Sequence, residues 1–106
     1  MTLRVAVLIS GRGSNLQALI DACAMADFPA EIVSVISNRP GVYGLERAAS
    51  AGIECAVVDH RNYADREAFE TALQQQLIAA RAEFICLAGF MRILTLVIAL
   101  MCQKNP

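Results

Sequence analysis

The sequence has no surplus of charge of either sign. Nine Lys and Arg stand against ten Asp and Glu, a net charge of −1. No global basic field therefore draws nucleic acid or an anionic membrane to the chain. There is a single histidine, His60, and no pair among Cys23, Cys55, Cys86 and Cys102 has metal-ligand spacing. No zinc constellation can be read from such a set. The cysteines fall in or beside apolar runs, and the expectation is buried free thiols in a reducing cytoplasm. Spacing yields no Ser/His/Asp or Cys/His arrangement and no paired carboxylates. No internal repeat, low-complexity tract or linker is visible. The opening apolar run is short and is followed by charge and glycine, so it reads as a strand and not as a signal peptide.

What is present is apolar. Hydrophobic residues make up 57% and charged residues 18% of 106 positions. A disordered chain lacks the apolar residues to offset ordering entropy, so that class is excluded. The length allows one small domain, whose compact form buries roughly two-thirds of the surface its unfolded chain exposes. The apolar fraction is higher than a small, fully covered soluble domain needs.

Residues 3–9 are rich in Val, Leu and Ile on both faces, which suits a central strand of a parallel sheet. After a break at residues 10–15, Leu16, Leu19, Ile20, Cys23 and Ala24 recur as one helix face, and the sequence Asp27-Phe28-Pro29 is expected to end that helix. Residues 32–36 read as a second strand. A shorter helix follows over 42–51, with Leu45, Ala48 and Ala49 inward and Gly52 at the C′ position where positive φ is needed. Residues 53–58 are a third strand, and Asn62 or Asp65 is placed to cap the next helix. In that helix Phe69, Ala72, Leu73, Leu77 and Ala80 line one face, and residues 84–87 form a fourth strand. The order β-α-β-α-β-α-β with short connections predicts an α/β fold. It would be a doubly wound, Rossmann-like parallel sheet, or the first half of one.

The turn from the first strand into the first helix is the strongest candidate site. Gly11 and Gly13 permit tight dihedrals and close approach of backbone to a ligand. The N–H groups of Gly13, Ser14 and Asn15 would leave the helix N-terminus without intrahelical partners. With the helix dipole and the Ser14 hydroxyl they form an anion site, fitting a phosphate or carboxylate. A dinucleotide fingerprint is incomplete, because Leu16 stands where its third glycine would fall. The second strand ends in Ser37-Asn38-Arg39, without an acidic residue for a ribose. No Walker A sequence follows the glycines. The short polar loop favours a phosphate monoester over a pyrophosphate; the alternative is a turn that serves structure alone.

A second candidate is the run from Leu87 to Leu94, at the carboxyl end of the fourth strand, where open α/β sheets bind ligands. It reads either as a slot for a flat ring or as a core strand entering a packed turn. His60, Arg61 and Arg66 lie around the third crossover, a solvated loop and helix start.

Several segments together resemble the phosphoribosylglycinamide formyltransferases. They are Val7-Leu8-Ile9-Ser10-Gly11-Arg12-Gly13-Ser14-Asn15-Leu16-Gln17, Ser37-Asn38-Arg39, Gly44-Leu45-Glu46-Arg47-Ala48, Arg66-Glu67 and Leu87-Ala88-Gly89-Phe90-Met91-Arg92-Ile93-Leu94. The likeness runs from about residue 5 to residue 95, with the motifs in family order. It implies formyl transfer from 10-formyltetrahydrofolate to the amine of glycinamide ribonucleotide, in de novo purine synthesis. It further implies that Gly13, Ser14 and Asn15 hold the ribonucleotide phosphate. Met91, Arg92, Ile93 and Leu94 would hold the folate pterin, with Arg66 approaching the same cosubstrate.

The family continues into an Asn-x-His motif and a later Asp that this sequence does not contain. The expectation is therefore a ribonucleotide-binding subdomain over residues 1–95 and a divergent apolar tail over 96–106, a truncated chain with no catalytic residue and no turnover alone. Residues 96–102 are apolar in succession, too short a run to span a bilayer. Left uncovered, they would favour a homodimer or aggregation. The alternative to the enzyme reading is a non-catalytic Rossmann-like module that holds a phosphorylated metabolite.

Overall fold

A computed structural model of the chain describes residues 2–88. Met91, Arg92, Ile93 and Leu94 of the expected folate segment, and the apolar residues that follow them, lie outside those described residues. In chain order the described part reads β1 (Leu3–Ile9), α1 (Ser14–Cys23), β2 (Ala30–Ser37), α2 (Tyr43–Ser50) and β3 (Cys55–Val57). A 3-10 turn at His60–Asn62, then α3 (Arg66–Ala79) and β4 (Phe84–Leu87), complete it. The strands pair in parallel in the order β3-β2-β1-β4.

β1 is thus flanked on both sides, which is why its residues are apolar on both faces. Val5, Val7 and Ile9 pack with Leu16, Val35 and Ala48, under α1 and α2. Ala6 and Leu8 pack with Ile36, Phe69, Leu73 and Leu77, under α3. The chain steps outward from β1 to β3 beneath α1 and α2, and α3 then returns across the opposite face to set β4 on the far side of β1. Crossovers of one hand require that change of face when the direction reverses. The expected α/β doubly wound parallel sheet is the fold observed.

Local capping follows the residues. Gly52 has φ 74°, and the Gly52 and Ile53 N–H groups donate to the Ala49 and Ala48 carbonyls at 3.0 Å each, the paired bonds of a Schellman end. Of the two candidate caps for α3 it is Asp65 whose carboxylate accepts, from the Ala68 N–H at 2.8 Å. Three expectations change. Helix α1 stops at Cys23, short of Asp27, because the next positions bring no side chain to bury: Met25 is 67% exposed. β3 is shorter than residues 53–58, because the Ile53 N–H is used to close α2. Ala49 is exposed, and Gly44, Leu45 and Ala48 form the inward side of α2.

Candidate functional site

The carboxyl ends of the strands and the N-termini of the three helices share one edge of the sheet. Strand order reverses at β1, with β2 on one side and β4 on the other. In open parallel sheets such a switch point, outside the ends of β1 and β4, is where ligands bind. There the Ala88 N–H donates to the Leu8 carbonyl at 3.0 Å, and the chain leaves β1 into residues 10–13.

Gly13 is the N-cap of α1, at φ 77° and ψ 28°. This is the left-handed region that glycine enters without strain. A Cβ at Gly13 would also stand 2.7 Å from the Gly44 Cα, so the position is fixed by dihedral and by space. Gly11 differs from its expected role: its φ is not positive, and a Cβ there would meet nothing within 4 Å. Its surroundings are open; its dihedrals do not need glycine.

The Gln17 N–H donates to the Gly13 carbonyl at 2.8 Å and closes the first turn. Among the described residues nothing accepts from the N–H groups of Gly13, Ser14 and Asn15, and Ser14 and Asn15 are exposed. The first turn of α1 holds no Asp or Glu. Nothing on the helix itself neutralises the positive end of its dipole, which is the condition for holding an anion.

Helix α2 packs against the back of this loop. The Gly44 N–H donates to the Gly11 carbonyl at 3.0 Å. A Cβ on Gly44 would lie 2.5 Å from Ile9 Cδ1 and 2.9 Å from the Gly11 oxygen. Arg47 Nε donates to the Arg12 carbonyl at 2.8 Å, and its terminal nitrogen reaches Gln17 Oε1 at 3.2 Å. The guanidinium lies over the Tyr43 ring, 4.7 Å from its centre. Reading the sequence by element did not single out Gly44 and Arg47 for this role. The available signal was a glycine in the first turn of a helix, costly by about 1 kcal/mol against Ala unless close packing requires it.

Beneath the loop the ends of three strands are tied by side chains. Ser10 Oγ donates to Asn38 Oδ1 at 2.6 Å, with both residues buried. His60 Nδ1 lies 3.3 Å from Asn38 Nδ2 and 3.2 Å from the Asn38 carbonyl oxygen. Accepting from the amide requires the ring proton on Nε2; donating to the carbonyl requires it on Nδ1. Ser37 Oγ bridges the backbone of Arg39, donating to its carbonyl at 2.6 Å and accepting from its N–H at 3.0 Å. His60 is thus a part of the floor of this edge, and not the solvated loop residue expected.

Arg66 opens α3 on the same edge and is exposed. Among the described residues no hydrogen bond or ion pair joins it to Gly13, Ser14 or Asn15, so it stands as a separate cation at the rim. Beside it Arg61 binds Asp59 through two side-chain nitrogens, at 3.0 and 2.8 Å, and through its backbone N–H at 3.0 Å. The Arg61 side-chain bonds, then its N–H, pull the Asp59 carboxyl down to about 2.

Cys23, Cys55 and Cys86 are free thiols. Cys55 is exposed, contrary to expectation, and Cys23 and Cys86 are half-buried. Desolvation raises all three thiols above their ordinary value, which disfavours the nucleophilic thiolate. Among the described residues no group of three or more His, Cys, Asp or Glu is placed to hold a metal ion.

Residues 3–104 match the family described as formyl transferase. The trifunctional purine biosynthetic protein adenosine-3 of Drosophila pseudoobscura pseudoobscura is 61% identical over 94 residues, which cover 87% of this chain and 7% of that protein. The phosphoribosylglycinamide formyltransferase of Escherichia coli (strain K12) is 41% identical over 93 residues, covering 88% of this chain and 44% of that one. The crystal structure of phosphoribosylglycinamide formyltransferase from Brucella melitensis superposes with a TM-score of 0.94 at 39% identity, covering 99% of this chain and 55% of that chain. The chain thus spans well under two-thirds of the length of these relatives.

Proposed function

This chain belongs to the formyl transferase family, and from that membership we propose that it is the ribonucleotide-binding part of a phosphoribosylglycinamide formyltransferase. In this reading the N–H groups of Gly13, Ser14 and Asn15 hold the phosphate of glycinamide ribonucleotide. The observation that carries it is a glycine-capped, uncapped-by-side-chain helix start at the switch point of the sheet, with no carboxylate of its own in the first turn. A phosphate monoester near neutral pH carries close to two negative charges and three acceptor oxygens, which suits convergent amide donors.

The phosphate is remote from the reacting atoms. Its binding orients the substrate amine toward the formyl carbon and supplies binding energy that the chemistry can use. We assign the formyl donor as 10-formyltetrahydrofolate, with Arg66 at the rim and Met91, Arg92, Ile93 and Leu94 along the segment leaving β4. Amine attack forms a C–N bond and loads charge onto the formyl oxygen. Donors for that oxyanion, and a group to move a proton from the amine to the departing folate nitrogen, are then required. His60, the one histidine of the sequence, is engaged at Nδ1 with Asn38 in the floor. The family supplies these groups from an Asn-x-His motif and a later Asp that the 106 residues do not contain, so this polypeptide assayed by itself is expected to bind without turning over. The cytoplasm, where free thiols persist, is the compartment this reading assigns.

Calorimetric titration with glycinamide ribonucleotide and with its dephosphorylated riboside tests the proposal. The ribonucleotide is expected to bind at least about tenfold more tightly, the loss expected when charge-assisted amide bonds are removed. Equal affinity for the two would refute the phosphate assignment. Phosphate-dependent binding that is indifferent to added folate would favour the non-catalytic module instead.

A further inference from the structure

We propose that Arg47 is the positioning residue of the anion loop, setting the direction of the amides that receive the phosphate; this rests on the phosphate reading above. The argument starts from peptide planarity. In a trans peptide the C=O and the following N–H point to opposite sides. Helix α2 holds two successive loop carbonyls: Gly44 N–H holds that of Gly11 at 3.0 Å, and Arg47 Nε holds that of Arg12 at 2.8 Å. The N–H groups of Arg12 and Gly13 are consequently directed away from α2, toward the free side of the loop. Successive amides turned the same way form an anion-binding concavity that continues into Ser14 and Asn15.

Gly13 is what makes the anchor necessary. A glycine adopts either sign of φ readily, so the Arg12–Gly13 peptide is free to turn over unless something holds it. Turned over, it would present a carbonyl to the phosphate. Arg47 opposes this with a forked grip: Nε on the Arg12 carbonyl, a terminal nitrogen on Gln17 Oε1 at 3.2 Å, and the guanidinium plane on Tyr43. A rigid planar fork can hold both acceptors at once, which a lysine ammonium cannot do with the same geometry. The outer side of Arg47 lines a groove of about 430 Å³ with Gln17, Tyr43, Glu46 and Ser50, so a replacement side chain has room.

The test compares the unaltered 106-residue chain with Arg47→Met and Arg47→Lys, using glycinamide ribonucleotide as probe and reading affinity together with the amide–Hα coupling of Gly13. Arg47→Met is expected to bind about tenfold more weakly, with the Gly13 coupling no longer that of φ near 77° and the thermal midpoint little changed. Arg47→Lys keeps the charge and the aliphatic stem and is the variant least able to disturb folding; a loss of about threefold is expected of it. Lysine binding as tightly as arginine would mean that charge alone matters, and the inference would be wrong. Undiminished binding by Arg47→Met, or an unmoved Gly13 coupling, would equally overturn it. Failure of the unaltered chain to bind would strike the phosphate reading itself, whereas normal binding with indifferent variants strikes only the role of Arg47.

Discussion

Asp59 shows how one residue sets a local turn and a local charge at once. Its carboxylate caps the 3-10 turn by accepting from the Arg61 N–H, and the Arg61 side chain closes on the same group. The folded carboxyl is held at about 2, against about 3.9 in an unfolded chain. A depressed folded value favours the native state above the unfolded value, and that contribution disappears as pH falls through the folded one. The Asp59 carboxyl resonance is expected to titrate near 2, and in Arg61→Ala to move part of the way back toward 3.9, because the backbone N–H remains as donor. A midpoint already near 3.9 in the unaltered chain would contradict the turn as described. Gly13 carries a comparable burden with no side chain at all. Its identity is dictated by a positive φ and by the 2.7 Å at which a Cβ would stand from the Gly44 Cα, and the sequence announced it through a glycine just ahead of a helix-periodic run.

At the scale of elements, α3 is the instructive case. Its inward stripe was legible from the spacing of Phe69, Leu73 and Leu77, and its start was narrowed to Asn62 or Asp65, of which Asp65 is the cap. Its end was not. Arg81 has φ 56°, a conformation that costs a non-glycine residue about 1 kcal/mol. The Arg81 and Ala82 N–H groups nevertheless close the helix on the Ile78 and Leu77 carbonyls at 3.0 and 3.2 Å. Arg4, far away in sequence, donates to the Arg81 and Ala80 carbonyls at 3.0 and 2.9 Å. A contact between positions 4 and 81 has no local signature. Arg81→Gly is expected to raise stability to denaturant by about 1 kcal/mol, and Arg4→Met to lower it by about 1 kcal/mol. If Arg81→Gly is destabilising, the left-handed helix end is not as described. The early stop of α1 has the same origin, whereas the shortening of β3 is local, the Ile53 N–H being used to close α2. Periodicity reports which face is apolar, and whether a neighbour is there to cover it depends on tertiary placement.

The whole molecule places these parts so that function collects at one edge. Among the described residues four strands in the order β3-β2-β1-β4 put the switch point between β1 and β4, and the anion loop leaves β1 beside it. Alternating strand and helix patterns made the sheet legible, and the glycines made the loop legible. Asn38 and Arg47 were not legible as supports of that loop. Both act on it from other elements, through a buried amide from β2 and a guanidinium from α2. Leu87, at the carboxyl end of β4, is 56% exposed, an apolar side chain beside the switch point, whereas Phe84, 49% exposed, lies at the strand's other end. The account as a whole depends on the amides of Gly13, Ser14 and Asn15 being the groups that receive a phosphate. Its most direct test is a titration of the isotope-labelled chain with inorganic phosphate, followed by amide resonances. Saturable shifts centred on those three residues, with Leu3 and Ala30 at the far edge of the sheet unmoved, are the predicted result. Shifts spread evenly over the chain, or none at residues 13–15, would contradict it.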